Sequence, residues 1–224
     1  MKISNFNLCV ALPLTFPFVP SGFFYSFTYM EKPKEYVLIH ADNGSIDTLR
    51  NDLVEKAMSL GASHILFLDT DMEYHVKTIP RLLSHRLPVV GAMSFRRYPP
   101  FDPIMLRGKL GAYDSIDEWD EGALVEVDAT GAACLLFEMQ VFRKMPRPWF
   151  RFRHLPGGEG IGEDIGFCSD LKAAGYKIYV DTTVPSGHYT TLCVNHATYK
   201  LYKSVKIKEH KRLLDRALMG GEVT

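Results

Sequence analysis

Two acidic pairs and one histidine are the residues in this chain whose types and spacing suit chemistry. Asp69 and Asp71 stand two apart at the end of the apolar run Ile65-Leu66-Phe67-Leu68. In an extended segment such neighbours point the same way, so both carboxylates can share one face. Glu163 and Asp164 follow a stretch with glycine at 157, 158, 160 and 162, and His188 follows Gly187. Carboxylates with an imidazole are a fitting donor set for a hard to borderline divalent ion, and such an ion holds a diphosphate. A carboxylate such as Asp164 is also a general base able to take a proton from an attacking hydroxyl. Each feature has a plain structural alternative. Asp69 and Asp71 are turn-forming types after a strand, and Glu163-Asp164 would complement the dipole of any helix they open. A lone histidine after glycine is commonly a loop or core residue. What favours chemistry at Asp69-Thr70-Asp71 is place, because open α/β sheets bind ligands at the carboxyl ends of buried strands.

The elements that must position these groups alternate along the chain. Residues 7–12 read as a strand ending at Pro13, and 36–40 as the next. The turn Asp42-Asn43-Gly44-Ser45 offers a helix cap. From 46 to 60 the apolar positions Leu49, Leu53, Val54, Ala57 and Leu60 recur at helical spacing, and Gly61 stops the run. Strands are predicted over 63–68, 88–92, 123–127, 133–137 and 177–180. A helix over 163–174 is closed by Gly175, and a polar, basic helix runs from about 199 to 218. The acidic stretch from Asp114 to Glu121 lacks calcium-loop spacing and reads as solvated loop. Strands separated by helices predict an α/β fold with a mostly parallel central sheet covered on both faces.

The bulk composition narrows the classes. A chain of 224 residues that is 46% hydrophobic supports one large domain with a sizeable core. Lys+Arg and Asp+Glu both total 26, so no overall charge draws the protein to nucleic acid or to an anionic membrane. The basic cluster Lys200, Lys203, Lys206, Lys208, Lys211, Arg212 and Arg216 reads as a solvated helix face. Cys9, Cys134, Cys168 and Cys193 form no Cys-x-x-Cys pair, and reduced thiols in a cytoplasmic protein are the expectation. Leu8-Cys9-Val10-Ala11-Leu12 after Lys2 has the look of a secretory core. Asn5, Asn7 and the three prolines between 13 and 20 make a first buried strand the better reading. No apolar run is long enough to cross a bilayer.

Taken in order, several motifs resemble the GT-A glycosyltransferases, especially their family 2-like group. These are Arg50-Asn51, Asp69-Thr70-Asp71, Thr130-Gly131-Ala132-Ala133-Cys134-Leu135-Leu136, Pro148-Trp149-Phe150, Glu163-Asp164-Ile165-Gly166-Phe167-Cys168 through Asp181, and Gly187-His188. The likeness runs from about residue 7 to 189. It implies a single GT-A (Rossmann-like) domain over 1–224, with a nucleotide-binding half at about 1–90, an acceptor-binding half at about 91–190 and a C-terminal helix at about 195–219. It implies a metal-dependent hexosyl-type transfer from a nucleotide-diphosphate sugar, with UDP favoured, to a glycan or other hydroxyl acceptor by inversion. Asp69, Asp71 and His188 would hold the ion, and the nitrogen donor favours Mn2+ over Mg2+. Donor contacts fall to Pro13, Arg50, Asp69, Thr70 and Asp71, and substrate contacts to Gly131, Trp149 and Glu163. Trp149 with Phe150 would form an apolar platform unless both are core. Asp164 is the implied base, with Glu163 beside it. Two features depart from the family: residues 42–50 leave no room for a further strand and helix before Arg50-Asn51, and the second half is short. A nucleotidyltransferase, or an inert nucleotide-sugar or glycan-binding module, would use the same residues and remains the alternative.

Overall fold

The computed structural model describes residues 7–158, 160–191 and 195–204. The first half runs β1 (Leu8–Pro13), α1 (Ser21–Tyr29), β2 (Tyr36–Ala41), α2 (Ile46–Ser59), β3 (His64–Leu68), β4 (Met72–Glu73), α3 (Thr78–Ser84) and β5 (Val89–Ala92). The second half begins with β6 (Met105–Lys109), β7 (Ala112–Ser115), β8 (Leu124–Val127), β9 (Ala129–Thr130), β10 (Cys134–Glu138) and α4 (Met139–Lys144). It continues through β11 (Arg153–His154), β12 (Gly160–Ile161), α5 (Glu163–Ala173), β13 (Ile178–Asp181) and β14 (Gly187–His188).

The central sheet has seven strands in the order β2-β1-β3-β10-β5-β13-β8. β1 pairs parallel with β2 and β3, and β13 pairs parallel with β5, while β10 and β8 run against their neighbours. Five of the seven strands therefore point the same way, as an α/β fold with helices on both faces predicts. Ile65, Leu66, Phe67 and Leu68 of β3 have no exposed surface. Phe67 packs with Phe137, Phe142, Phe150 and Phe167 on one face of the sheet, and Leu66 and Leu68 with Val10, Val90 and Leu136 on the other. Gly61 and Gly175 close α2 and α5 at φ +70° and +83°, backbone conformations that favour glycine.

Every strand and helix expected before residue 190 is present, with ends shifted by a residue or two. Ser45 does precede α2, but its hydroxyl bonds the side chains of Asp47 and Thr48, and no backbone N–H is capped by it. α2 starts directly after β2, as the short 42–50 segment requires. Several short strands and the helices α1, α3 and α4 were not expected, and α1 is the most informative of them. Its sequence, Ser-Gly-Phe-Phe-Tyr-Ser-Phe-Thr-Tyr, is rich in aromatic residues of weak helix propensity, so local preference does not announce a helix. Packing decides it: Phe23 is buried against Tyr74, ring centroids 6.2 Å apart. The start of the acidic stretch after Asp114 is strand, not loop, because β7 pairs with β6.

The chain divides into two compact units, 1–189 and 190–224, and the whole central sheet belongs to the first. In the second, residues 196–204 are helical, beginning the expected C-terminal helix. Its continuation to 218, with Lys206, Lys208, Lys211, Arg212 and Arg216, lies outside the described residues. Among the described residues no helix is long and apolar enough to cross a membrane.

Candidate active site

The exit of β3 is stitched to both halves of the first unit. The Asp69 amide donates to the Ala133 carbonyl at 2.9 Å, and the Tyr74 hydroxyl lies 2.7 Å from the carbonyls of both Asp69 and Ala133. Two residues on, β4 pairs with β14, setting His188 opposite Met72, and the Tyr189 amide donates to the Asp71 carbonyl at 2.9 Å. These ties bring residues more than a hundred positions apart to one edge of the sheet. His188 Nε2 is 3.3 Å from Asp71 Oδ2, and Arg97 Nη1 donates to the same oxygen at 2.9 Å. His188 Nδ1 lies 2.8 Å from the Phe95 carbonyl, which can only accept, so the Nδ1 proton is fixed there. Burial raises the Asp71 pKa, but His188 and Arg97 together outweigh it and hold the carboxyl below its ordinary value. Burial lowers the His188 pKa, and the bonds to Asp71 and Phe95 outweigh that, holding it above the usual imidazole value.

Asp69 turns the other way. Both its oxygens accept from Arg50 Nη2, at 2.9 and 3.0 Å. Arg50 is only 2% exposed, and its Nη1 also bonds Glu163 and lies 3.9 Å from Asp164. One buried guanidinium therefore gathers the first acid of the strand pair and both acids of the helix pair. Burial would ease the proton off Arg50, but the three carboxylates outweigh burial and hold it charged. One cation cannot neutralise three carboxylates, and Glu163 is the most buried of them. Burial pushes its carboxyl up to about 7 from an ordinary 4.5, with Arg50 pulling down and Asp164 pushing further up. A raised carboxyl favours the folded state fully below its unfolded value and loses that contribution as pH rises through its folded value. Thermal melts between pH 5 and 8 should show the wild type losing stability relative to Glu163→Gln. Parallel curves for the two proteins would show that Glu163 keeps its charge across this range.

Asp164 sits at the start of α5, where two backbone amides meet its carboxylate. Ile165 N–H donates to Oδ1 at 2.7 Å and Ala132 N–H to Oδ2 at 3.2 Å. Two glycines leave its surroundings open. A Cβ on Gly162 would stand 2.9 Å from Oδ1, and one on Gly131 would stand 3.6 Å from Oδ2. The expected substrate contact Gly131 is thus beside Asp164, and a side chain at 162 would press on the Asp164 carboxylate.

Other expected residues fall differently. Pro13 ends β1 and is buried, as is Thr70 between the two aspartates. Arg50 does not face open donor space; the carboxylates surround it. The apolar platform is a correction. Trp149 and Phe150 are 2% and 1% exposed, and the indole N–H of Trp149 donates to the carbonyls of Phe142 and Met145. Large aromatic surface is worth more in the core than facing water, and here the core has it. The two rings still serve the site: Phe150 lies 5.9 Å from the Arg50 guanidinium, and the Asn51 side chain bonds the 149 and 150 backbone. Arg50-Asn51 and Pro148-Trp149-Phe150 are therefore two sides of one contact. Arg97, Tyr74 and the Phe95 carbonyl escaped the sequence reading. The signal for Arg97 was its place just beyond β5, at the same sheet edge as Asp71.

Among the described residues no three His, Cys, Asp or Glu side chains are grouped to hold a metal ion. Asp71 and His188 supply two donors, and the fixed Nδ1–H leaves Nε2 as the nitrogen for an ion. This pair fits a divalent ion completed by diphosphate oxygens and water. Asp69, held by Arg50, is not a third donor in this arrangement. Among the described residues the thiols are poor nucleophiles, since burial raises Cys9 and pushes Cys134 and Cys168 up to about 12.

Comparison with known proteins agrees with this architecture. No protein-family model and no curated protein sequence matches the chain. Among solved structures, A197 from STIV superposes with a TM-score of 0.58 at 17% identity, over 83% of this chain and 86% of that one. GalNAc-T7, solved with UDP, GalNAc and Mn2+, superposes with a TM-score of 0.55 at 14% identity, over 84% of this chain. This chain spans 45% of that chain's length. At such identities the likeness establishes the fold, which is a Rossmann-like GT-A domain.

Proposed function

We propose that the protein is a metal-dependent glycosyltransferase of the family 2-like kind, moving a sugar from a UDP-sugar to a hydroxyl acceptor with inversion. The observation that carries this reading is the meeting of Asp71 and His188 at the carboxyl edge of the sheet, with Arg50 linking the neighbouring Asp69 to Asp164. The presence of UDP and Mn2+ in the structurally similar GalNAc-T7 supports the same reading. Asp71 and His188 would hold a divalent ion, Mn2+ before Mg2+ because of the nitrogen donor. Such an ion, when bound, neutralises the charge that grows on a departing diphosphate. Asp69 and Thr70 would meet the donor at the strand end through what little of them is exposed, with Pro13 at the end of the neighbouring strand. Arg50 orients Asp69 from below. Asp164 takes the proton of the acceptor hydroxyl.

The test is a titration of nucleoside diphosphates with and without manganese. UDP should bind most tightly, and Asp71→Ala should remove the manganese dependence while the melting transition persists. Because an ion held at His188 Nε2 would compete with a proton there, manganese-dependent affinity should fall as pH drops through the raised imidazole value. Equal affinity for every diphosphate with and without manganese would reject the site.

A further inference from the structure

Beside the proposed base lies a cavity of about 310 Å³. Leu106, Gly111, Ala112 and Tyr113 come from the β6–β7 hairpin, and Gly160, Ile161, Gly162 and Ile165 from β12 and the opening of α5. Arg96, just after β5, completes it. Gly162 and Ile165 flank Glu163-Asp164 in the chain, and a Cβ on Gly162 would stand 2.9 Å from Asp164 Oδ1, so the cavity lies next to the carboxylate given the base role. The β11–β12 hairpin is held close: a Cβ on Gly111 would stand 2.7 Å from the Leu155 side chain.

The lining has the mixed character a sugar ring needs. Leu106, Ile161, Ile165 and the Tyr113 ring offer apolar surface for C–H faces, while the glycines bare backbone amides and carbonyls for hydroxyls. The volume is at the small end for small-molecule sites. Among the described residues that line the cavity, Arg96 is the one charged residue. Among the described residues the Arg96 guanidinium has no hydrogen-bond or ion-pair partner, although its backbone amide is tied to the Asp102 carbonyl at 2.9 Å. The neighbouring arginine differs, being engaged by Asp71. A planar guanidinium in the lining of a sugar-sized cavity, its donors unpaired among the described residues, is suited to a carboxylate or a phosphate. It would also offset the repulsion that Asp164 and Glu163 impose on any anion placed beside them.

We infer that this cavity is the acceptor subsite and that the acceptor is a sugar-sized hydroxylated molecule carrying an anionic group, which Arg96 receives. The inference rests on the transferase reading for the word acceptor, and on the cavity alone for anion-dependent binding.

Calorimetric titration of methyl glucoside, methyl glucuronide and glucose 6-phosphate into the full chain separates the cases. Either anionic probe should bind about tenfold or more tightly than the neutral one, the scale of a charge-assisted hydrogen bond. A lead for the glucuronide assigns a carboxylate acceptor, and a lead for the 6-phosphate assigns a phosphorylated one. Arg96→Gln should erase the difference. Ala112→Phe, which fills the cavity from an exposed hairpin position, should remove binding of all three, with circular dichroism and melting confirming the fold. Equal binding of neutral and anionic probes, survival of the preference in Arg96→Gln, or no binding of any probe to the wild type would overturn the inference. Manganese-dependent UDP binding measured on the same samples reports on the donor site separately, so loss of one reading is distinguishable from loss of the other.

Discussion

Asp164→Asn should lower sugar transfer by about 10²–10⁴-fold while leaving donor affinity nearly unchanged, the range expected when a general base is lost. The geometry makes this a clean substitution. Asn keeps the shape of the side chain and an oxygen for the Ala132 or Ile165 amide, so the N-terminal turn of α5 has little reason to move. What disappears is the ability to take a proton. Glu163→Gln should cost much less, because Glu163 is buried against Arg50, whereas the Asp164 carboxylate stands beside Gly131 and Gly162. Kinetics with a fixed donor would decide: kcat should fall with KM for the donor held, since the affected interaction is made in the transition state. If Asp164→Asn keeps near-full transfer while Glu163→Gln loses it, the two roles are exchanged. If both stay active, the pair is a helix-opening charge pair and the base lies elsewhere.

Arg50→Ala should destabilise the protein by about 3–5 kcal/mol at neutral pH, the cost of removing one partner from a buried charge cluster. The variant would leave Asp69, Glu163 and Asp164 facing one another with no cation among them. The native cluster is imperfect in its own right, since Arg50 Nε is buried without a hydrogen-bond partner. The loss should shrink as pH falls, because protonated carboxyls no longer need the guanidinium. Denaturant unfolding at pH 8 and at pH 5 measures both parts. A change below about 1 kcal/mol, or one independent of pH, would mean that solvent reaches and screens the cluster. Arg50→Lys should recover part of the stability but not the fork that reaches Asp69 through Nη2 and Glu163 through Nη1, since an ammonium is a point charge without that planar geometry.

Much of the fold was legible before any coordinates. The buried strand at 65–68, the helix at 46–60 and the glycine stops at 61 and 175 each follow from local rules of burial, periodicity and backbone freedom. The acidic pairs were legible as well, because carboxylates stand out at the exit of an apolar strand and at the opening of a helix. What local rules could not supply was partnership. Nothing near Arg50 in sequence says that its guanidinium joins Asp69 to Glu163 and Asp164, or that Phe150 lies beneath it. Trp149 shows the same limit from the other side: an aromatic residue before a glycine-rich loop serves equally as a platform or as core, and only packing against Phe142 settles which. Nor does α1 follow from its own residues, since burial of Phe23 on Tyr74 overrides weak helix propensity. The sequence by itself determined which elements form and which chemical groups stand at their ends. The tertiary structure alone decided which charges share a buried cation, because charge pairing in a low-dielectric interior depends on contacts between segments a hundred residues apart.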